Sequence, residues 1–120
     1  MSEVDDYIAA LPSEVRGPLE EVRAAAHETV RSLVPESVEV GERISYRIPA
    51  VTVDGRALLY VAGWNRFISV YPVPVGDEAY RESSAPYRVA KGTLRFPLGK
   101  PMPLDLVRST AAFLLHERRR

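Results

Sequence analysis

The chain of 120 residues contains no cysteine, which excludes thiolate catalysis, iron–sulfur ligation and zinc sites built on sulfur, and fits a reducing compartment. Its two histidines, His27 and His116, fall in no His-x3-His or related spacing, so they form no metal motif. Charge of one sign is also missing. Sixteen basic residues offset 16 acidic ones, and no summed field favours nucleic acid or an acidic membrane surface. The longest apolar run, residues 57–63, is far too short to span a bilayer. Met1 is followed by Glu3, Asp5 and Asp6 rather than by a basic segment and an apolar run. No secretory signal is visible, and the cytoplasm is the expected compartment.

What the chain does have is an ordinary globular balance, 46% hydrophobic and 27% charged, at the length of one domain. A chain of this size buries about two thirds of the surface its unfolded form exposes, enough to fold without a disulfide or structural metal. The terminal basic run, residues 118–120, is expected to stay in water.

Apolar residues at Val15, Leu19, Val22, Ala26, Val30 and Leu33 recur in steps of three or four and predict a core-facing helix, with Gly17-Pro18 delaying or kinking its start. A short helix over 4–10 precedes it. After Pro35 the period becomes two: Ile44, Tyr46 and Ile48 alternate with Arg43, Ser45 and Arg47, the pattern of a strand that ends or bends at Pro49. Asp54-Gly55 predicts a tight hairpin turn, and Asn65 another before residues 67–71. Asp77 is suited to cap a short helix to about Glu82, and Ser83 to Pro86 reads as a loop. A last strand over 93–96 precedes an amphipathic helix carrying Leu104, Val107, Ala111 and Leu114. This order predicts an α+β fold in which an antiparallel sheet carries N-terminal and C-terminal helices on one face.

The Gly99-Lys100 pair invites a phosphate-loop reading, which fails. Six residues instead of four separate Gly92 from Gly99, and Pro101 stands where the motif needs a hydroxyl. Ser45 lacks the Gly-x-Ser-x-Gly setting of a nucleophile and has no assignable base, so no enzyme is predicted.

The segments "VDDYIAALPSEVR" (4–16), "ERISYRIPAV" (42–51), "ISVYP" (68–72) and "KGTLRFPLGKPMPLDLV" (91–107) together resemble the YdhG-like family, over nearly the whole chain and in order. The resemblance implies a single YdhG-like domain over 1–120, with an α+β, frataxin-like fold. It further implies a non-enzymatic iron chaperone, binding iron weakly and delivering it to a partner protein for cluster or haem assembly. Arg47 departs from the small residue, often glycine, that this family carries after its Ser-Tyr pair.

Carried iron would suit carboxylate oxygens, and Asp5, Asp6, Glu20, Glu21 and Glu28 are the metal candidates. The same acids also read as a solvated helix face offset by Arg16, Arg23 and Arg31. An alternative function uses the polar side of the sheet: Ser45, Tyr46, Arg47, Tyr71, Lys91, Thr93 and Arg95, with Ser69, would line a pocket for a small anion or a protein. Trp64 and Phe67 flank a turn, as partner anchors or as half-buried packing, in a monomer or homodimer. Nothing in the sequence combines interleaved aromatics with a basic surplus, so nucleic acid is not an expected partner.

Overall fold

The computed structural model describes residues 2–118. Its elements are α1 (Glu3–Ala9), α2 (Ser13–Leu33), β1 (Val40–Ser45), β2 (Ile48–Val53), β3 (Arg56–Gly63), β4 (Phe67–Tyr71), α3 (Glu78–Ser84), a 3-10 turn (Ala85–Tyr87), β5 (Arg88–Ala90), β6 (Thr93–Pro97) and α4 (Leu104–Arg118). The six strands form one sheet in the order β1-β2-β3-β4-β6-β5, every neighbouring pair antiparallel. The fold is α+β, as the element order predicts. Among the described residues no helix is long and apolar enough to cross a membrane.

Helices α2 and α4 pack on each other and on β3, so both lie on one side of the sheet, and α1 joins them over β1 and β2. The molecule's shortest dimension, 22 Å, has room for one sheet and one helical layer, each about 10 Å deep, and no more. Strand residues facing this layer, among them Leu59, Val61, Ile68, Val70, Leu94 and Phe96, are completely or almost completely buried in one core that also holds the α2 residues Val15, Leu19 and Val22. Each such side chain contributes about 1.5–3 kcal/mol by leaving water.

Local chemistry accounts for the element ends. Ser2 Oγ accepts the Asp5 amide at 3.1 Å while the Asp5 carboxylate accepts the Ser2 amide, a reciprocal cap that starts α1. Asp77 Oδ1 accepts the Tyr80 amide at 2.8 Å and starts α3. Gly63 ends β3 directly under α2: a Cβ there would come within 2.8 Å of Leu11 and Val15, so the missing side chain is what lets the helix close on the sheet.

Several sequence expectations change. Ile44, Tyr46 and Ile48 do not share one strand. The chain reverses at Tyr46 and Arg47, whose φ angles of 55° and 69° form a two-residue hairpin turn, and Ser45 pairs with Ile48. Ile44 consequently faces the helices while Ile48 lies on the opposite side; the alternation ran straight through a turn. Helix α2 begins before Gly17-Pro18 and passes through Pro18, so its start is not delayed. Leu33, at its end, is 47% exposed rather than in the core. In α4 the buried stripe includes Leu106, Thr110 and Leu115 along with Val107 and Ala111, leaving Leu104 and Leu114 at its margins. The expected loop at 83–86 is the end of α3 and the 3-10 turn. Strand β5, wholly exposed and without alternation, gave no sequence signal. Arg118 turns back on the sheet, donating to the carbonyls of Arg56 and Ala57; residues 119 and 120 of the basic run lie outside the described residues.

Candidate functional site

The side of the sheet without helices is built by register. Tyr60 pairs with Tyr71, Ala62 with Ser69, and Ser69 in turn with Arg95, so these side chains rise on the same face. Two residues further along, Phe67 pairs with Pro97 on this face, and Trp64 follows Ala62. The small residues Ala62 and Ser69 therefore form a floor between two aromatic groups, the tyrosines on one side and Trp64 with Phe67 on the other. Both floor residues are buried beneath their neighbours.

The rings are ordered. Tyr60 and Tyr71 stack with centroids 4.9 Å apart and planes 12° from parallel, and Tyr46 leans toward Tyr60 at 6.1 Å. Trp64 and Phe67 lie 6.2 Å apart, and the Trp64 indole N–H donates to Ser69 Oγ at 2.9 Å. The guanidinium carbon of Arg95 sits 3.9 Å from the centre of the Phe67 ring. Trp64, Phe67, Ser69, Tyr71, Thr93 and Arg95 together enclose an open trough of about 360 Å³. Burial pushes the Tyr71 hydroxyl's pKa up, helped by Tyr60 and Tyr46, so the group stays a neutral donor.

Of the pocket residues expected from sequence, the structure brings Tyr71, Thr93 and Arg95 together with Ser69. The others are elsewhere. Ser45 lies on the same face at the end of β1, and Tyr46, 83% exposed, stands at the hairpin tip. Arg47 is in that turn rather than at a strand position, and Lys91 is in the turn between β5 and β6. The face is also more aromatic than its expected polar character. Trp64, Phe67 and Tyr60 form one surface with Tyr71 through the pairing of β3 with β4; within each strand the only sequence trace of it is the large-small-large alternation of Tyr60-Ala62-Trp64 and Phe67-Ser69-Tyr71. Interleaved aromatics are thus present on this face.

The acidic candidates divide in two. Asp5 and Glu20 converge with Glu42 on Arg23, which donates to Asp5 Oδ1 at 3.1 Å, to Glu20 Oε1 at 2.9 Å and through two nitrogens to Glu42. His27 Nε2 lies 2.9 Å from Glu42 Oε1. The Arg23 guanidinium holds the Glu42 carboxyl below the ordinary range, while Asp5 is lowered first by the Ser2 amide and then by Arg23. Asp6, Glu21 and Glu28 are exposed and join no such cluster. The donor chemistry suits a hard cation, but a guanidinium stands at the centre of the set. Among the described residues no three histidine or carboxylate side chains are grouped to hold a metal ion. The two histidines have different surroundings: His116 borders a groove between α2 and α4 with Leu33 and Phe113.

No family model matches the sequence, and no curated protein does. A solved structure does. The crystal structure, at 1.75 Å resolution, of YdhG from Bacillus subtilis, a protein of the DUF1801 family, is similar with a TM-score of 0.75 over 96% of this chain and 90% of that one, at 18% sequence identity. The likeness shows a shared fold across nearly the full length of both chains.

Proposed function

We propose that this chain is a non-enzymatic binding module that receives a small anion on the helix-free side of its sheet. The observation that carries this reading is Arg95, laid on Phe67 at the border of an aromatic-walled trough and, among the described residues, within ion-pair distance of no carboxylate. A guanidinium positioned by an aromatic ring and left without an acid is a ready partner for an incoming one. The trough's polar groups also include the hydroxyls of Ser69, Tyr71 and Thr93, which can hydrogen-bond and orient a bound anion. A thermal-shift panel of small anions at constant ionic strength tests this. At least one anion is expected to raise the melting temperature of the native protein and not of Arg95→Ala; equal responses from the two proteins would remove the proposal.

A second proposal is the iron carriage implied by the YdhG-like resemblance, with delivery to a partner protein. Its support is that resemblance together with three carboxylates, Asp5, Glu20 and Glu42, that each reach the same side chain, Arg23. Arg23 competes with any cation there, so binding would be weak and would strengthen when that charge is removed. Anaerobic calorimetric titration with ferrous iron decides the matter. Heat that increases in Arg23→Ala and vanishes in Asp5→Asn/Glu20→Gln supports the reading, and identical traces from all three proteins exclude it.

A further inference from the structure

Building on the sheet-face reading, we propose that the trough selects a flat aromatic carboxylate, with its carboxylate on Arg95 and its ring lying over Ser69 between Tyr71 and Trp64.

Shape is the first argument. The floor is Ser69, a small side chain in the middle of the face, with the Tyr71 ring on one side of it and Trp64 and Phe67 on the other. A planar ring entering this space meets π faces and edges, which favour offset or edge-on stacking, whereas a puckered aliphatic ring leaves gaps against both walls. The volume of about 360 Å³ is at the small end of ligand sites and suits a body of one or two rings.

Charge is the second. By register, the strand positions on this face supply Arg43 and Arg95 and no acid; Glu42, the one carboxylate of β1, points to the helices and bonds Arg23. Arg43 is occupied with the Gly55 carbonyl, leaving Arg95 as the cation of the trough. One guanidinium balances one charge and presents a planar fork, which matches a monocarboxylate better than a phosphate dianion. The third argument is the fixed indole. Its N–H is already given to Ser69, so Trp64 acts as a wall and leaves the hydrogen bonding of an incoming acid to Arg95, Thr93 and the Tyr71 hydroxyl.

Benzoate is the test molecule, followed through the Trp64 indole N–H and the amides of residues 69, 71 and 95 by NMR, with cyclohexanecarboxylate, benzamide and inorganic phosphate as comparisons. Benzoate is expected to shift these resonances and to bind about tenfold or more tightly than each comparison. Arg95→Ala should weaken benzoate by about tenfold or more, and Arg95→Lys, which keeps the charge but loses the fork, by an intermediate factor. Equal binding of cyclohexanecarboxylate overturns the ring selectivity, and equal binding of benzamide or an unaffected Arg95→Ala overturns the carboxylate assignment. Phosphate binding through Arg95 with no benzoate response leaves the anion-binding reading standing and sinks the aromatic one. Shifts confined to residues outside the trough defeat both.

Discussion

Trp64 donates its indole N–H to Ser69 Oγ across 2.9 Å, so the only tryptophan of the chain is tethered beside the floor of the open sheet face although it remains 46% exposed. Ser69→Ala removes the acceptor. The indole should then stand off into water, with its fluorescence emission moved to longer wavelength and its anisotropy reduced. The stability cost should be about 1 kcal/mol, the net value of one such bond. Unchanged emission would show that packing against Phe67, rather than the hydrogen bond, holds the ring.

The two hairpins β1–β2 and β2–β3 turn the same way with different residues. Asp54 and Gly55 adopt φ of 48° and 79°, and Tyr46 and Arg47 adopt 55° and 69°. Left-handed backbone costs an ordinary L-residue about 1–2 kcal/mol, and glycine escapes most of it. Arg47→Gly is therefore expected to stabilise the protein by about 0.5–1 kcal/mol, after glycine's larger loss of chain entropy is subtracted. Urea denaturation checks this.

Gly63→Ala tests the close approach of α2 to the sheet. The added methyl would meet Leu11 and Val15 at 2.8 Å, and Val15 has no exposed surface toward which to move. A loss of about 1–3 kcal/mol is expected, the usual cost of overfilling a packed core. The Tyr7 hydroxyl, which accepts the Gly63 amide at 3.2 Å, should be disturbed with it. Denaturation midpoints of Gly63→Ala and Tyr7→Phe, measured separately, distinguish the two effects.

Glu42 links stability to pH. Its folded-state pKa is depressed, first by Arg23 and then by His27, so its contribution is complete above the unfolded value of about 4.3 and is lost as pH falls through the lower folded value. Glu42→Gln should cost about 1–3 kcal/mol at pH 7, because the half-buried Arg23 loses its two-nitrogen partner. Below the folded pKa the native protein has shed the same charge, and the difference between the two proteins should shrink. Denaturation curves taken at pH 7 and at successively lower pH provide the comparison.

Sequence reading succeeded where a single local rule governs. The three-four spacing from Val15 to Val30 marked the buried face of α2, Asp54-Gly55 marked its turn, and Asp77 its cap. It failed where long-range packing overrides local pattern. Tyr46-Arg47 carries no turn residues, yet the pairing of β1 with β2 forces a reversal there. Arg88–Ala90 is a strand only because β6 lies beside it. The candidate trough is half legible: alternation marks Ser69, Thr93 and Arg95, and Tyr71 joins them for its hydroxyl, whereas Trp64 and Phe67 join them only once β4 pairs with both β3 and β6. The convergence of Asp5, Glu20 and Glu42 on Arg23 was likewise hidden, since helical spacing says nothing about a carboxylate arriving from a strand.

With helices on one side alone, consecutive residues of a strand answer to different demands. Val70 is held to its size by the interior, while Tyr71 beside it stands on the open face against Tyr60. Divergent copies of this architecture can therefore change the chemistry of the open face and leave the packed interior intact, because the positions that meet a visitor and the positions that fill the core alternate along the strand.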